Sequence, residues 1–437
     1  MNIIKSGLFC LALLVSATYS YAHGEKHHDM TPTESLAISA AFDTRGKLWR
    51  VGIGDGFVEV SKSEDLGKTF SKPVRANLEK QNISAHGELR PKIAIGKNGE
   101  IYVAWMQNLP SRFSGYIWLA RSINGGKTFE KPFIVHQDRA EIGHGFEEIS
   151  VAPNGDVTVL WLDARDLVAA KQAGIKRSGS SIYYAVSTDA GKTFAQEKKL
   201  ADNSCECCRI ATTSKPVSKG RNSTGLNSTG LNSTVVAMWR HVFDGSERDH
   251  NIAEIPKSGV KSEPHRATFG HWVIDGCPHQ GAALATGGGE ETSQGNTGWW
   301  GYHMAYFDGN DTKPGLYYSR MDGVAWVTSP AKKFGDNTKQ AGHPALLSYT
   351  QKVGGEKAWQ KQVWQEKVWL VWREIKDSKS TIMGMHSSDG GKNWDDAKTL
   401  ANTSQKADYP FLLQHKNTAY LMCNTQQEGL QILPLSQ

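Results

Sequence analysis

The chain has few cysteines, no strong excess of charge of one sign, and only one long apolar run. Outside residues 7–17, no apolar stretch approaches the roughly 20 residues that cross a membrane, so a membrane-spanning helix is not expected. The 50 basic and 44 acidic residues leave a net charge of +6, and aromatic residues are not interleaved with the basic ones. Nucleic acid is therefore not an expected partner. The glycine-rich turns are not followed by a predicted helix, which excludes a phosphate-binding loop.

The first 22 residues predict export. Lys5 precedes the short apolar run, and Ser20-Tyr21-Ala22 provides a small-x-small cleavage site, which together are typical of a signal peptide. Cleavage after Ala22 gives a periplasmic or secreted protein. Residues 23–35 then form a His-rich leader that begins at His23. This leader is either a disordered polar segment or an accessory chelator of copper or another divalent metal.

One short pattern, Ser-x-Asp/Asn-x-Gly-x-Thr/Asn-aromatic, occurs four times, at residues 63–70, 122–129, 187–194 and 387–394. In such a turn the Asp or Asn side chain accepts hydrogen bonds from nearby backbone N–H groups, and the glycine takes a positive φ. The aromatic ring is expected to fill the space between strands. Each copy follows a run typical of a strand, so the pattern predicts a repeated β unit.

These turns match the Asp box of the bacterial neuraminidase repeat, so residues 36–435 resemble the sialidase-like β-propellers. The resemblance implies an all-β fold of four-stranded antiparallel blades in one domain, residues 36–437. Six blades are the norm in that family, but the repeat count here favours seven. The units begin near Leu36, Pro91, Ile149, Ile210, Gly281, Pro344 and Pro410. The last unit shows only three strands, and an N-terminal strand would complete it as a four-stranded blade.

In a propeller, the innermost strand of each blade begins, and the second strand ends, on the face opposite the Asp-box turns. Aligning the units brings four cysteines and three histidines to this face, which is a composition typical of a metal site. The predicted ligands are Cys205, Cys207, Cys208, Cys277, His279, His144 and His343. Thiolate with imidazole suits Cu(I) or zinc, and copper is the preferred ion.

Two other interpretations of the cysteines remain open. An exported protein commonly oxidises its cysteines, and Cys205 or Cys208 could pair with Cys277. One such bond would still leave two thiols at the same face, where redox or other thiol chemistry is the third alternative. Cys423 lies in an apolar run and is interpreted as a buried hydrophobic residue.

A set of arginines predicts a carboxylate site on the same face. Four of them follow a tryptophan near the end of a strand and a fifth precedes the second unit: Arg50, Arg165, Arg240, Arg373 and Arg90. A guanidinium group matches a carboxylate or phosphate in two-point contact. The alternative is that each Trp-Arg pair is a stacking contact repeated with the blade.

The resemblance to sialidases implies an arginine triad, a tyrosine nucleophile paired with a glutamate, and an aspartate as acid/base. The candidates for these roles are Tyr409 as nucleophile, Glu147 or Glu148 as its partner, and Asp163 as acid/base, and the sequence does not fix which glutamate pairs with Tyr409. The match is incomplete, because the family's first arginine has no counterpart in Leu36-Ala37-Ile38-Ser39. Three functions therefore remain: binding of a metal or small ligand, hydrolysis of a sialic acid or other acidic sugar, and a protein-binding scaffold.

Overall fold

The computed structural model describes residues 36–215, 235–255, 263–288, 299–353 and 363–436. The predicted signal peptide, the His-rich leader and any N-terminal strand that completes the last blade lie outside these residues. The described strands form seven antiparallel sheets, and within each sheet the strands are neighbours in chain order, with the first strand at the centre. The prediction of an all-β propeller with seven blades is confirmed.

Each blade is a meander of consecutive strands. Blade 1 contains β1 (Ser39–Phe42), β2 (Leu48–Gly54), β3 (Phe57–Ser63) and β4 (Val74–Arg75). Blade 2 contains β5 (Lys92–Ile95), β6 (Ile101–Asn108), β7 (Gly115–Ser122) and β8 (Phe133–Ile134). Blade 3 contains β9 (His144–Val151), β10 (Val157–Asp163), β11 (Ser180–Ser187) and β12 (Lys198–Ser204). Blade 4 contains β13 (Ala211–Ser214), β14 (Val235–Arg240), β15 (His250–Glu254) and β16 (His265–Arg266).

The remaining three blades follow the same plan. Blade 5 contains β17 (Ala283–Gly288), β18 (Trp300–Asp308), β19 (Gly315–Asp322) and β20 (Lys332–Phe334). Blade 6 contains β21 (Gly342–Val353), β22 (Val363–Lys376), β23 (Lys379–Ser387) and β24 (Lys398–Thr403). Blade 7 has three described strands, β25 (Phe411–His415), β26 (Thr418–Thr425) and β27 (Gly429–Leu435).

One α-helix interrupts the described β structure. Helix α1 (Arg165–Gln172) lies in the connection between β10 and β11, and none of its residues is buried. The all-β prediction did not include this helix. The segment is rich in residues that favour helices, such as alanine, leucine, lysine and glutamine, and this signal was missed. No helix among the described residues is long and apolar enough to cross a membrane.

The blades form a closed ring around a channel. The innermost strands β1, β5, β9, β13, β17, β21 and β25 contact one another in turn, and β25 also contacts β1. The hydrophobic core lies between neighbouring blades, because both faces of each sheet are covered by the next sheet in the ring. Its largest fully buried side chains are Trp105, Trp161, Trp239 and Trp372, all in the second strand of a blade.

The four Ser-x-Asx turns share two backbone hydrogen bonds, one from a glycine N–H to the serine hydroxyl and one from a later N–H to Oδ1 of the Asp or Asn. In the third copy, the N–H of Thr193 donates to Asp189 Oδ1 at 2.9 Å and its hydroxyl donates to Asp189 Oδ2 at 2.6 Å. The N–H of Gly191 donates to the hydroxyl of Ser187 at 2.8 Å. Because the pKa of Asp189 is lowered mainly by the Thr193 bonds, the carboxylate stays ionised and keeps the turn closed.

We expect Gly191→Ala to destabilise the propeller much more than Gly125→Ala. Both glycines have a positive φ, +75° and +70°, which costs an alanine about 1–2 kcal/mol. A Cβ at Gly191 would lie 2.6 Å from the buried ring of Tyr102 in blade 2, whereas one at Gly125 would meet nothing within 4 Å. Overpacking adds about 1–3 kcal/mol to the first substitution alone. Thermal melts measure the difference, and equal losses would contradict docking of the turn on blade 2.

Candidate metal centre

Three of the predicted ligands, Cys205, Cys207 and Cys208, lie in the loop between β12 and β13, where the innermost strand of blade 4 is about to begin. The end of β14 holds this loop, because the N–H of Cys205 donates to the carbonyl of Arg240 at 2.8 Å. Asn203, two residues before the first cysteine, has a φ of +56°, a left-handed conformation that asparagine tolerates. The loop therefore turns inward and directs the cysteines to one point.

The sulfur atoms of these three residues form what we call the cysteine triangle. Its sides are 3.6 Å for Cys205–Cys207, 3.8 Å for Cys205–Cys208 and 3.9 Å for Cys207–Cys208. The residues are only 2%, 6% and 2% exposed. The point equidistant from the three sulfurs is about 2.2 Å from each, close to the roughly 2.3 Å of a zinc–thiolate bond. The three sulfurs are therefore spaced to bind one metal ion at the centre of the triangle.

Two further predicted ligands lie beside the triangle. Cys277 and His279 are exposed and belong to the loop that precedes β17. The ligand atoms of Cys207, Cys277 and His279 all lie within 4.8 Å of one another. Cys207 therefore belongs to two groups, one buried and one open to solvent.

The cysteines are thiols rather than disulfides in this structure. All five described cysteines are free, so the Cys205–Cys277 and Cys208–Cys277 bonds left open by the sequence are not formed. Cys423, 2% exposed, packs in the core between blades 6 and 7.

Proton affinities within the triangle are strongly coupled. Hydrogen bonds from the other two thiols lower the pKa of Cys205 well below its ordinary value. The pKa of Cys207 and that of Cys208 are raised, first of all because each thiol donates a hydrogen bond to the Cys205 sulfur. One thiolate is thus stabilised by the protein alone, and three thiolates together require a cation among them.

The surroundings of the triangle carry positive charge. Arg240 is 2% exposed, and its guanidinium donates to the carbonyls of Arg248, Gln280 and Phe307 at 2.8–3.0 Å. Its Nε has no hydrogen-bond partner among the described residues. The charges of Arg240 and Arg248 also contribute, after the thiol hydrogen bonds, to the lowered pKa of Cys205. Both cations favour a negatively charged sulfur cluster.

His144 does not join the cysteines. It is fully buried at the start of β9, where its Nδ1 donates to the carbonyl of Gly115 at 2.9 Å and its ring stacks on His136 at 4.0 Å. Its Nε2 lies 3.7 Å from Asp163 and has no hydrogen-bond partner among the described residues. The ligand atoms of His144, Asp138 and Asp163 all lie within 4.8 Å of one another.

His343 lies instead in a buried network at the channel. Glu88 accepts hydrogen bonds from the N–H groups of Arg209 at 3.2 Å and Gly281 at 3.0 Å, and lies 3.4 Å from His343 Nδ1. Burial alone would raise the pKa of Glu88, but the nearby Arg209 and His343 lower it to about 2. The ring of His343 stacks on Tyr409 at 3.5 Å. This network joins the starts of five blades.

The predicted carboxylate-binding arginines are already engaged. Arg90 pairs with Asp408 through bonds of 2.5 and 2.7 Å, and Arg165 binds Asp163 and Glu197. Arg240 donates to three carbonyls, as described above. Arg373 donates to the carbonyl of Ala407 at 3.0 Å and lies 4.6 Å from the Tyr409 ring.

Arg50 lies on the wrong face for the predicted site. It is the third residue of β2, whose first residue pairs with Ser63 at the start of a Ser-x-Asx turn. Its guanidinium stacks 3.8 Å from the Phe70 ring of that turn. The stacking alternative therefore describes Arg50, since the tryptophan before it sits at the beginning of the strand rather than its end.

The three predicted catalytic residues have separate surroundings. Tyr409 is buried against His343, and Asp163 accepts from Arg165 and from Trp161 Nε1 at 2.8 Å. Glu147 is 1% exposed, and neither of its carboxylate oxygens has a hydrogen-bond partner among the described residues. Burial raises its pKa to about 8, so it is largely protonated at neutral pH.

Sequence analysis missed two partners. Arg209 anchors Glu88 and also donates to the carbonyls of Ala282 and Pro344 at 2.9 and 2.6 Å. Asp408 neutralises Arg90. Arg209 directly follows Cys208, at the same position before its strand that Arg90 has in blade 2, and this equivalence was the available signal.

Similarity to known proteins is limited to solved structures. No family model matches the sequence, and no curated protein matches it significantly. Among solved structures, a family PL25 ulvan lyase bound to -[GlcA(1-4)Rha3S]- is similar at 13% identity, covering 90% of each chain with a TM-score of 0.47. The GH93 α-L-arabinofuranosidase of Fusarium graminearum is also 13% identical, over 93% of this chain and 94% of that one, with a TM-score of 0.43.

The NanB sialidase of Streptococcus pneumoniae is 8% identical, over 78% of this chain and 65% of that one, with a TM-score of 0.42. The sheet topology itself shows the architecture, which is a seven-bladed β-propeller.

Proposed function

We propose that this protein binds Cu(I) in the cysteine triangle. The single observation that carries the proposal is the size of the triangle, whose sides of 3.6–3.9 Å surround a point about 2.2 Å from every sulfur. Burial of all three residues excludes competing water. Arg240 and Arg248 offset the charge that three thiolates bring.

Three-coordination favours copper over zinc. Structural zinc is nearly always four-coordinate and tetrahedral, and would need a fourth ligand outside the plane of the three sulfurs. The Cys277 sulfur lies within 4.8 Å of the ligand atoms of Cys207 and His279, but it is not within that distance of all three triangle sulfurs. Soft thiolate ligands select Cu(I), which accepts a planar set of three.

The proposal includes a location outside the cytoplasm. It is supported by the predicted signal peptide at residues 1–22, which lies outside the described residues. In an oxidising compartment, unprotected thiols would form disulfides. A bound metal and nearly complete burial both keep the triangle reduced.

Copper titration of the exported chain tests the proposal. Under anaerobic conditions we expect the wild-type protein to take at least one Cu(I) per chain from a chelator of known affinity. The double substitution C205A/C208A should weaken this binding on the order of 10³-fold or more, because two of three ligands are removed. Cys423→Ala, a buried cysteine remote from the triangle, is the matched control and should bind copper like the wild type.

Two results would refute the copper proposal. One is wild-type protein that binds no copper, or binds zinc more tightly than Cu(I) in the same competition. The other is mass spectrometry of the exported protein showing a disulfide within residues 205–208. A sialidase assay addresses the alternative function, and we expect no cleavage of a fluorogenic sialoside, because the predicted arginines are committed to partners within the protein.

A further inference from the structure

We propose that a second Cu(I) binds at Cys207, Cys277 and His279, sharing the Cys207 sulfur with the first, and that this outer site is where copper enters and leaves. This inference rests on the proposed copper-binding function. The two groups have Cys207 in common, and no other residue belongs to both. A thiolate sulfur has more than one lone pair and can bridge two soft ions.

The difference in exposure between the two groups assigns their roles. The triangle residues are 2–6% exposed, so an ion among them has no direct contact with a copper donor in solution. Cys277 and His279 are both exposed. A donor can therefore deliver copper to these two residues, with Cys207 as the third ligand behind them.

Transfer between the sites is an exchange of ligands in which copper remains Cu(I). An ion held by Cys207, Cys277 and His279 moves inward while its bond to Cys207 persists. Copper forms bonds to the Cys205 thiolate and to Cys208, whose thiol loses its proton, and the bonds to Cys277 and His279 break. The vacated Cys277 thiolate accepts that proton, or it binds a second ion together with the His279 imidazole.

Local charge is suited to two ions. Four thiolates and two Cu(I) have a net charge of −2, which needs cations close by. Arg240 is buried with its Nε unpartnered among the described residues, and Arg248 lies near both groups of sulfurs. Glu206 is the opposing charge, and it acts on Cys277 more weakly than the hydrogen bond from Cys207 does.

The test compares wild-type protein with the double variant C277A/H279A. We expect the wild type to bind two Cu(I) per chain and to show a copper–copper vector in X-ray absorption. The variant should bind one, without that vector, and its remaining ion should pass to a competing chelator at least roughly tenfold more slowly. His271→Ala, which removes an exposed histidine from the same loop, should behave like the wild type.

The possible failures can be told apart. If the wild type binds one ion, and C277A/H279A binds one with an unchanged exchange rate, the outer site is refuted while the triangle stands. If neither protein binds copper, the proposed function itself fails. Because Cys277 and His279 are exposed, the variant is expected to fold, and circular dichroism checks this directly.

Discussion

Arg90→Met should destabilise the folded propeller by about 3–5 kcal/mol, because it leaves the carboxylate of Asp408 buried without its cation. The Arg90 side chain is 0% exposed and that of Asp408 is 5% exposed. Arg90 also donates to the carbonyls of Gly87 at 2.7 Å and Ile38 at 3.3 Å. It thus ties the start of blade 2 to the starts of blades 1 and 7.

A double-mutant cycle separates the ion pair from simple loss of packing. Replacing both partners, in R90M/D408L, removes the uncompensated charge and should recover much of the loss, since apolar replacement of a whole buried pair is often near neutral. Arg112→Met, at an exposed arginine, is the control and should change stability by less than about 0.5 kcal/mol. Denaturant unfolding measures the wild type, R90M, D408L and R90M/D408L, which complete the cycle, together with R112M. A loss in R90M no larger than in R112M would contradict the structural role of the pair.

Glu147→Gln should make the protein more stable at pH 8 and less sensitive to pH between 6.5 and 8. Burial raises the pKa of Glu147 to about 8 from an ordinary value of 4.5. Between these values the folded state holds a proton that the unfolded state has lost, so stability falls as pH rises. The stability that protonated Glu147 contributes is fully present below pH 4.5 and is lost as the pH rises toward 8. Glutamine is neutral throughout, and we expect a gain of about 1–3 kcal/mol at pH 8.

The neighbouring glutamate provides the control. Glu148 pairs with Lys92 at 2.9 Å and is partly exposed, so Glu148→Gln should lose a little stability and keep the wild-type dependence on pH. Burial lowers the pKa of His136 to about 3 and that of His343 to about 4, so neither titrates in the folded state above pH 6.5. Melting temperatures at pH 6.5, 7.2 and 8.0 are the measurement. Parallel curves for wild type and E147Q would show that Glu147 is ionised when folded.

The blades were predictable from sequence because their signals are local. A Ser-x-Asx turn needs only eight consecutive residues, and its spacing from the next apolar strand fixes the unit. Aligning units also predicted that Cys207, Cys277 and His279 would meet, since all three immediately precede an innermost strand. Equivalent positions in a ring converge by symmetry, whatever their side chains.

What failed depended on side-chain partners that the repeat pattern does not encode. His144 and His343 share that alignment, yet Gly115 holds one and Glu88 the other, and neither partner is near in sequence. The arginines illustrate the same limit. Arg90, Arg240 and Arg373 bind groups outside their own blades, whereas Arg165 and Arg50 have their partners within their own blades. Arg50 was misplaced because a Trp-Arg pair alone does not tell which end of a strand it occupies.

The pairing of Arg90 with Asp408 also determines the order in which the ring can be completed. The two residues are 318 positions apart, and Glu88 is 193 positions before Gly281, whose N–H group donates to it. A chain synthesised or threaded through a membrane from its N-terminus exposes Arg90 long before its partner emerges. The last blade therefore closes the ring, and only then does the buried charge of Arg90 gain its carboxylate partner.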